Sequence, residues 1–320
     1  MRAIVRKTLI DLSGWRRVLG LILVGMAVPL VSMSSYRSTL QNRSWSVEMQ
    51  THYMVSNFLT MSFIYVAGLF LALMVAITAA GFVSKEVNEG TLLMLVSKPI
   101  ERSKIVIGKF LALIVHAVLI EAIILILLSM VFRFALPIQD HTFVALLGTI
   151  PWIIMYSLLV VLIFGSVSLA LSSLIGVHTL STAVGTILVI FVFAFGSIVM
   201  PFVYMGYGIS GNSFTDAWED DISWVSRINP CYHLGNAFTP YMQQSSGGQL
   251  MPVSQLGLIN SLTWVFENED DDVFVGDSRY YYPAELSKAV HPWVSLALCL
   301  VVSVLGLLSA RWAIRRMDVH

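Results

Sequence analysis

Six long apolar stretches, separated by polar segments, constrain this chain more than any other feature of its sequence. They lie at 17–33, 58–83, 105–132, 143–175, 180–204 and 292–314. A membrane-spanning helix needs about 20 mainly apolar residues, and each stretch supplies or nearly supplies that length. Hydrophobic residues make up 57% of the chain and charged residues 12%, whereas soluble domains are about 45–50% apolar and about 25% charged. The sequence therefore predicts an all-α polytopic membrane protein with six transmembrane helices.

The first 16 residues have a different pattern. Ile4, Val5 and Leu9 cluster on one side at helical spacing, while Arg2 and Arg6 lie among the polar residues that occupy the rest. An amphipathic, basic helix of this kind lies along the membrane surface instead of crossing it. We expect an interfacial helix before the first span.

The basic residues indicate the orientation. Of the 19 lysines and arginines, 13 fall at the ends of the spans that share a side with the N-terminus. Basic residues near span ends are retained on the cytoplasmic side. The distribution predicts an integral plasma-membrane protein with both termini in the cytoplasm, in agreement with an even number of spans.

The predicted organisation has one large segment outside the membrane, between the fifth and sixth spans. It is acidic and rich in tryptophan and tyrosine, which favours a folded external cap over a disordered tail and makes it a candidate surface for an extracytoplasmic partner. Its acidic run 267–272 lacks EF-hand spacing and is interpreted as a solvated face, so no metal is expected. No basic stretch is interleaved with aromatic residues, which argues against nucleic acid as a partner.

The predicted units are the interfacial helix 1–16, spans one to five at 17–206 with a cytoplasmic loop at 84–104, the cap 207–291, the sixth span 292–314 and the tail 315–320.

The cytoplasmic loop after the second span carries the functional signal. Glu86 and Glu89 form an acidic helix start, which suits the positive end of the helix dipole, and Pro99 ends the apolar run that follows. Leu92 and Leu95 lie in that run and need a surface on which to be buried. They pack either under the membrane domain or into a partner.

This loop resembles the cytoplasmic loop of ABC-2 type transporter permeases. The shared pattern is E-x-x-E-G-T-L-x-x-L-x-S-x-P-I-x-R-x-x-I-x-x-G-K over 86–109. The weaker Ile228-Asn229-Pro230 also resembles a signal before the last span of such permeases. The resemblance implies a coupling helix that inserts into an ABC ATPase subunit through Glu86, Glu89, Gly90, Thr91, Leu92, Leu95, Pro99 and Arg102. It further implies two ATPase copies, a second permease subunit, identical or similar, and export as the expected direction of transport.

The chain itself is not expected to bind ATP. Gly108-Lys109 matches the end of a P-loop, but Ser103 stands where that motif requires its first glycine, and Phe110 replaces the serine or threonine that binds magnesium. No catalytic constellation or cofactor site is predicted in this chain. ATP and Mg²⁺ are expected in the partner ATPase, so this subunit is not predicted to be an enzyme.

Glu121 lies in the middle of the third span, where ionisable residues usually face the bundle interior or a wet cavity. It is a candidate for the translocation path, or alternatively a neutral glutamate that fixes helix packing. An ion-coupled secondary transporter that uses Glu121 is one rival function. A non-transporting membrane scaffold whose cap binds a partner is the other.

Small residues recur at helical spacing in two of the spans and suit close helix packing, either within the subunit, which we favour, or at a dimer seam. In the fifth span, glycine and proline residues including Pro201 predict a broken helix near the outer surface. The small residues are Gly68, Ala72, Ala76 and Ala80 in the second span, and Gly165, Ser168, Ser172 and Gly176 in the fourth.

Overall fold

The structure, a computed structural model, describes residues 2–42, 47–88, 102–136, 138–210, 230–238, 272–275, 278–281 and 290–316. These residues are almost entirely helical. The elements in chain order are α1 (Arg2–Leu12), α2 (Trp15–Asn42), α3 (Val47–Thr60), a π-helical segment (Met61–Phe70), α4 (Leu71–Asn88), α5 (Arg102–Ala135), α6 (Asp140–Ile175), α7 (His178–Ser210), α8 (Pro230–Asn236), β1 (Asp272–Val275), β2 (Ser278–Tyr281) and α9 (Pro292–Arg316).

Every predicted span coincides with helix, and the all-helical membrane fold is confirmed. Within the part of the chain that the structure describes, five helical stretches are long and apolar enough to cross a membrane, by length and composition. These are Trp15–Ser38, Asn57–Glu86, Lys104–Ala135, Asp140–Ile175 and Pro292–Arg316. The fifth predicted span corresponds to α7, which contains the shorter apolar stretch His178–Ala194.

Three details of the secondary structure differ from expectation. The helix α7 continues through Pro201 to Ser210, so the predicted break is wrong; a proline lacks one backbone donor, a loss that a helix within a membrane bundle tolerates. The second span begins with ten residues of π-helix, Met61–Phe70, which no simple hydrophobic pattern signals. In the predicted cap, β1 and β2 form an antiparallel hairpin, with Asp272 opposite Tyr281.

The helices α4 and α6 form the centre of the bundle, and small residues allow their close approach. Val75 is fully buried, and a side chain added at Gly165 would meet it at 3.2 Å. Farther along, the Ser172 hydroxyl donates to the backbone oxygen of Ala80 at 2.6 Å. Packing of the small-residue faces within the subunit is therefore confirmed for this pair.

The outer faces of the bundle are apolar. On α9, Leu298, Val301 and Leu305 are about half exposed, and such a band of exposed aliphatic side chains suits contact with lipid. The core instead contains large aromatic residues: the Phe58 and Phe132 rings meet edge to face with centroids 5.4 Å apart. The apolar exterior and packed interior are those of a helical membrane domain.

One end of the bundle gathers α1, the end of α9 and the two described flanks of the predicted cytoplasmic loop. The helix α1 packs on the start of α5, where Gly108 faces Ile4. A groove at the same end brings Leu174, in the last turn of α6, beside Arg315, in the last turn of α9. The opposite end contains the α5–α6 connection, where Arg133 pairs with Asp140 at 2.7 Å.

Candidate functional site

The predicted ATPase contact lies between α4 and α5, and the structure describes its two flanks. Glu86 lies in the last turn of α4, and Arg102 is the first residue of α5. The remaining predicted contact residues lie outside the described part of the chain: Glu89, Gly90, Thr91, Leu92, Leu95 and Pro99. The contacts that the structure gives for the candidate site are therefore those of the two flanks, which form its base.

Lys109 joins the two flanks. Its ammonium nitrogen lies 2.5 Å from a carboxylate oxygen of Glu86 and donates a hydrogen bond of 2.6 Å to the backbone oxygen of Phe82. The Lys109 residue is only 7% exposed, and a buried cation requires such partners to offset its lost hydration. The second turn of α5 is thereby fastened to the last two turns of α4.

Sequence reasoning placed Lys109 in the family-like pattern but did not assign it a role. The available signal was a pair of opposite charges, Glu86 and Lys109, on either side of a helical connection. Charge alone does not identify such a pair, because Lys85, Lys98 and Lys104 also lie nearby in the sequence. The rotation of α4 relative to α5 in the folded protein places Lys109 beside Glu86.

Ser172 of α6 contacts the same end of α4. Its hydroxyl oxygen accepts hydrogen bonds from the backbone N–H groups of Val83 at 3.2 Å and Ser84 at 3.1 Å. It donates to the backbone oxygen of Ala80 at 2.6 Å, and the Ser84 hydroxyl donates to that same oxygen at 2.6 Å. Since a serine hydroxyl has one proton and two lone pairs, Ser172 uses its full bonding capacity on α4.

The interfacial helix α1 completes the base of the site. A side chain added at Gly108 would approach Ile4 to 3.1 Å, so glycine permits α1 to lie directly on α5. The Thr8 hydroxyl donates to the backbone oxygen of Ile4 at 2.9 Å, which satisfies this buried polar group within its own helix. The helices α1, α4, α5 and α6 therefore meet around the described flanks of the loop.

Glu121, the other predicted site residue, lies in the middle of α5 and is fully buried. Neither carboxylate oxygen has a hydrogen-bond partner among the described residues. Ser157 of α6 lies beside it, but the Ser157 hydroxyl donates to the backbone oxygen of Ile153 at 2.8 Å. Glu121 thus faces the protein interior, in agreement with the general expectation for an ionisable residue in a span.

Further polar groups converge on this part of the core. Tyr156 is fully buried and lies close to Glu121, Cys231 and Cys299. Its hydroxyl has no hydrogen-bond partner within the described ranges, while its ring packs on Phe63 with centroids 4.7 Å apart. A buried hydroxyl and a buried carboxyl without partners are costly in an apolar interior. Glu121 and Tyr156 therefore form a second candidate site, inside the membrane domain.

The short helix α8 contributes a network that sequence reasoning missed. It starts at Pro230, the proline of the Ile228-Asn229-Pro230 signal, and proline is well suited to the first position of a helix. Ser295 of α9 contacts a ring nitrogen of His233 at 3.0 Å and accepts a hydrogen bond from the Asn236 amide at 2.9 Å. The Asn236 amide also donates to the backbone oxygen of Val290 at 2.9 Å.

Both cysteines are buried thiols. Neither Cys231 nor Cys299 forms a disulfide. The Cys231 thiol donates to the backbone oxygen of Val192 at 3.0 Å, so it fastens α8 to α7. These contacts fix α8 against α7 and α9 on the side of the core that faces Tyr156.

The sequence as a whole matches one protein family. The family model described as ABC-2 family transporter protein covers residues 3–319. No curated protein matches the sequence at a significant level. Members of this family are membrane components of ABC transporters, and membership implies an ABC ATPase subunit as partner. The match covers nearly the entire chain and agrees with the multi-helix membrane fold; the chain therefore belongs to the ABC-2 transporter family and is an integral membrane permease of an ABC transporter.

Proposed function

We propose that this chain is the membrane half of an ATP-driven exporter in the plasma membrane, with both termini in the cytoplasm. Two such permease subunits, identical or similar, would associate with two ATPase subunits, which bind ATP and Mg²⁺. The loop 84–104 would be the coupling helix. Nucleotide-dependent closure of the ATPases would supply the free energy, and the membrane helices would respond because the loop contacts differ between the two states.

The observation that carries this proposal is the contact of Lys109 with both Glu86 and the backbone of Phe82. These contacts join α4 to α5 at the base of the loop, so a force on the loop acts on both helices together. The hydrogen bonds of Ser172 extend the connection from α4 to α6. Displacement of the loop is then transmitted to three helices of the bundle core.

The experiment is co-purification of the full-length permease with its partner ABC ATPase. We expect the paired substitutions Leu92→Asp and Leu95→Asp to abolish association, because they place charge where the coupling helix must bury apolar side chains. The matched control carries Leu250→Asp and Leu256→Asp, the same chemical change in the predicted external cap. Association that survives the first pair of substitutions would refute the coupling-helix assignment.

We further propose that Glu121 borders the translocation path. Support comes from its complete burial, the absence of a hydrogen bond to its carboxylate among the described residues, and the buried Tyr156 hydroxyl nearby. Groups of this kind gain partners when a substrate or water enters the bundle. Glu121 would thus stabilise a state in which the core is open.

Glu121 also supports the rival function, an ion-coupled secondary transporter. Sealed vesicles that contain the permease with and without its ATPase separate the two. ATP-dependent transport that requires the ATPase supports the exporter. Transport driven by a pH or sodium gradient in the absence of the ATPase would instead support the ion-coupled mechanism.

A further inference from the structure

A basic groove lies at the end of the bundle where α6 and α9 finish. Its volume is about 660 Å³, and it is lined by Leu174, Leu308, Ser309, Arg311, Trp312 and Arg315. All but Leu174 lie on α9. Leu308, Arg311, Trp312 and Arg315 follow one another at spacings of three, one and three residues, so they form a single stripe on that helix.

Two exposed tryptophans place this groove at the depth of the lipid headgroups. Trp293 and Trp312 are 61% and 52% exposed, and at 1.5 Å per residue they are separated by roughly 28 Å along α9. That distance matches the hydrocarbon core of a bilayer, about 30 Å, and tryptophan is enriched at both membrane interfaces. Trp312 therefore marks one interface, and Arg311 and Arg315 lie at the same level.

The charge of the groove is positive. Arg311 and Arg315 are one helical turn apart, and both line it. No aspartate or glutamate lines the groove within the described part of the chain. Guanidinium groups bind phosphate oxygens through paired hydrogen bonds. The adjacent guanidinium of Arg316 lies 4.2 Å from the centre of the Trp312 ring, which adds positive charge beside the groove.

The apolar part of the lining points to a lipid. Leu174 and Leu308 are 55% and 53% exposed and border the two arginines on α9. A free phosphate ion would leave these leucines uncovered, whereas a phospholipid covers them with its acyl chain. We propose that the groove binds an anionic phospholipid, with the phosphate on Arg311 and Arg315 and an acyl chain along Leu174 and Leu308.

A second copy of the chain is a poorer occupant. In a two-fold symmetric contact the same patch lies on both sides of the interface. Such a contact centred on this stripe would bring Arg311 and Arg315 close to their own counterparts, and like charges repel. The charge of the groove thus favours a negatively charged ligand over self-association.

The experiment measures the first lipid-binding constant of the full-length protein in detergent by native mass spectrometry. Phosphatidylglycerol and phosphatidylcholine with identical acyl chains are the probes. We expect the wild type to bind phosphatidylglycerol more tightly. The double variant Arg311→Gln/Arg315→Gln should weaken this binding by roughly 30-fold, because the two arginines should make similar electrostatic contributions to the free energy of lipid binding.

Arg16→Gln is the matched control, because Arg16 also lies beside an exposed tryptophan, 5.6 Å from the Trp15 ring, outside the groove. It should bind phosphatidylglycerol as the wild type does. The single variant Arg315→Gln alters one exposed residue at the helix end and should give an intermediate loss, which tests the site even if the double variant folds poorly.

Three results would overturn the proposal. The first is a double variant that keeps the wild-type preference for phosphatidylglycerol, since the arginines then do not form the site. The second is complete displacement of phosphatidylglycerol by an equal concentration of glycerol phosphate, since the leucines then contribute nothing. Loss of a dimer with unchanged lipid binding in the double variant would likewise assign the groove to self-association and contradict the proposal.

Discussion

Lys109 of α5 and Glu86 of α4 form an ion pair of 2.5 Å at the base of the predicted coupling loop. Lys109 also donates to the backbone oxygen of Phe82, so one ammonium group links two helices by two contacts. The two residues lie on opposite flanks of the loop, and their ion pair holds the end of α4 against the start of α5. This contact provides the mechanical connection on which the proposed coupling depends.

We predict that Glu86→Ala lowers the free energy of unfolding by about 2 kcal/mol, because it leaves the buried ammonium of Lys109 without its counter-charge. The double variant Glu86→Ala/Lys109→Met should recover most of that loss. Thermal unfolding of the wild type, both single variants and the double variant forms a double-mutant cycle. A coupling energy near zero would show that the pair does not stabilise the base of the loop.

Ser172→Ala should destabilise the protein by about 1–3 kcal/mol, because Ser172 accepts from two backbone N–H groups of α4 and donates to Ala80. The neighbouring Ser173 is the matched control: it is also buried, but its hydroxyl donates to Ala170 within its own helix. Ser173→Ala should cost less than about 1 kcal/mol. Equal thermal stability of the two variants would contradict the inter-helix role of Ser172.

Gly306→Ala should weaken the packing of α9 on α6. The added carbon would lie 2.8 Å from the Ser166 hydroxyl oxygen and 2.9 Å from its backbone carbonyl carbon, and overpacking of this kind costs about 1–3 kcal/mol. Gly148→Ala meets no atom within 4 Å and should stabilise α6 by about 0.5–1 kcal/mol through helix propensity. Thermal unfolding midpoints that move in the same direction would refute this difference in packing.

Glu121→Leu should leave the protein as stable as the wild type or stabilise it by about 1 kcal/mol, because it removes a buried carboxyl group that has no hydrogen-bond partner in the described residues. Transport should nevertheless fall several-fold if Glu121 borders the path. Thermal unfolding and ATP-dependent uptake into inverted vesicles are measured on the same preparations, with Glu121→Gln as the polar control. A destabilised Glu121→Leu protein would instead identify Glu121 as a packing residue.

The Cys231 thiol should not react with maleimide in the native protein at pH 8. Burial raises its pKa to about 12, and because a thiol is reactive only as the thiolate, about one molecule in 10⁴ is reactive at pH 8. Labelling should increase only as the pH approaches 12. After denaturation in sodium dodecyl sulfate, Cys231 should label readily, and rapid labelling before denaturation would show that α8 separates from α7.

Much of the fold could be predicted because its signals are local and cumulative. Each span is a long run of apolar residues, and each run coincides with a helix in the structure. The π-helical start of the second span and the continuation of α7 through Pro201 were not predictable in this way. They depend on which neighbouring helices pack there, and hydrophobicity along the chain does not report this.

For the candidate site, the sequence identified the segment but not its internal contacts. Glu86 and Arg102 lie at the predicted flanks, whereas Lys109 and Ser172 were not assigned to the site. Nothing in the local sequence distinguishes Ser172 from Ser173, since both lie in the same apolar helix. Only the rotation of α6 directs one of them toward α4.

By itself, the sequence determined that this is a helical membrane protein of several spans and indicated its family. Those properties follow from the composition of each segment and the short pattern over 86–109. The tertiary structure alone decided that Glu86 meets Lys109, that Ser172 bonds to α4 and that Arg311 and Arg315 share a groove with Leu174. The physical reason is that each such contact requires a particular rotation and register of two helices, which the packing of the whole bundle sets.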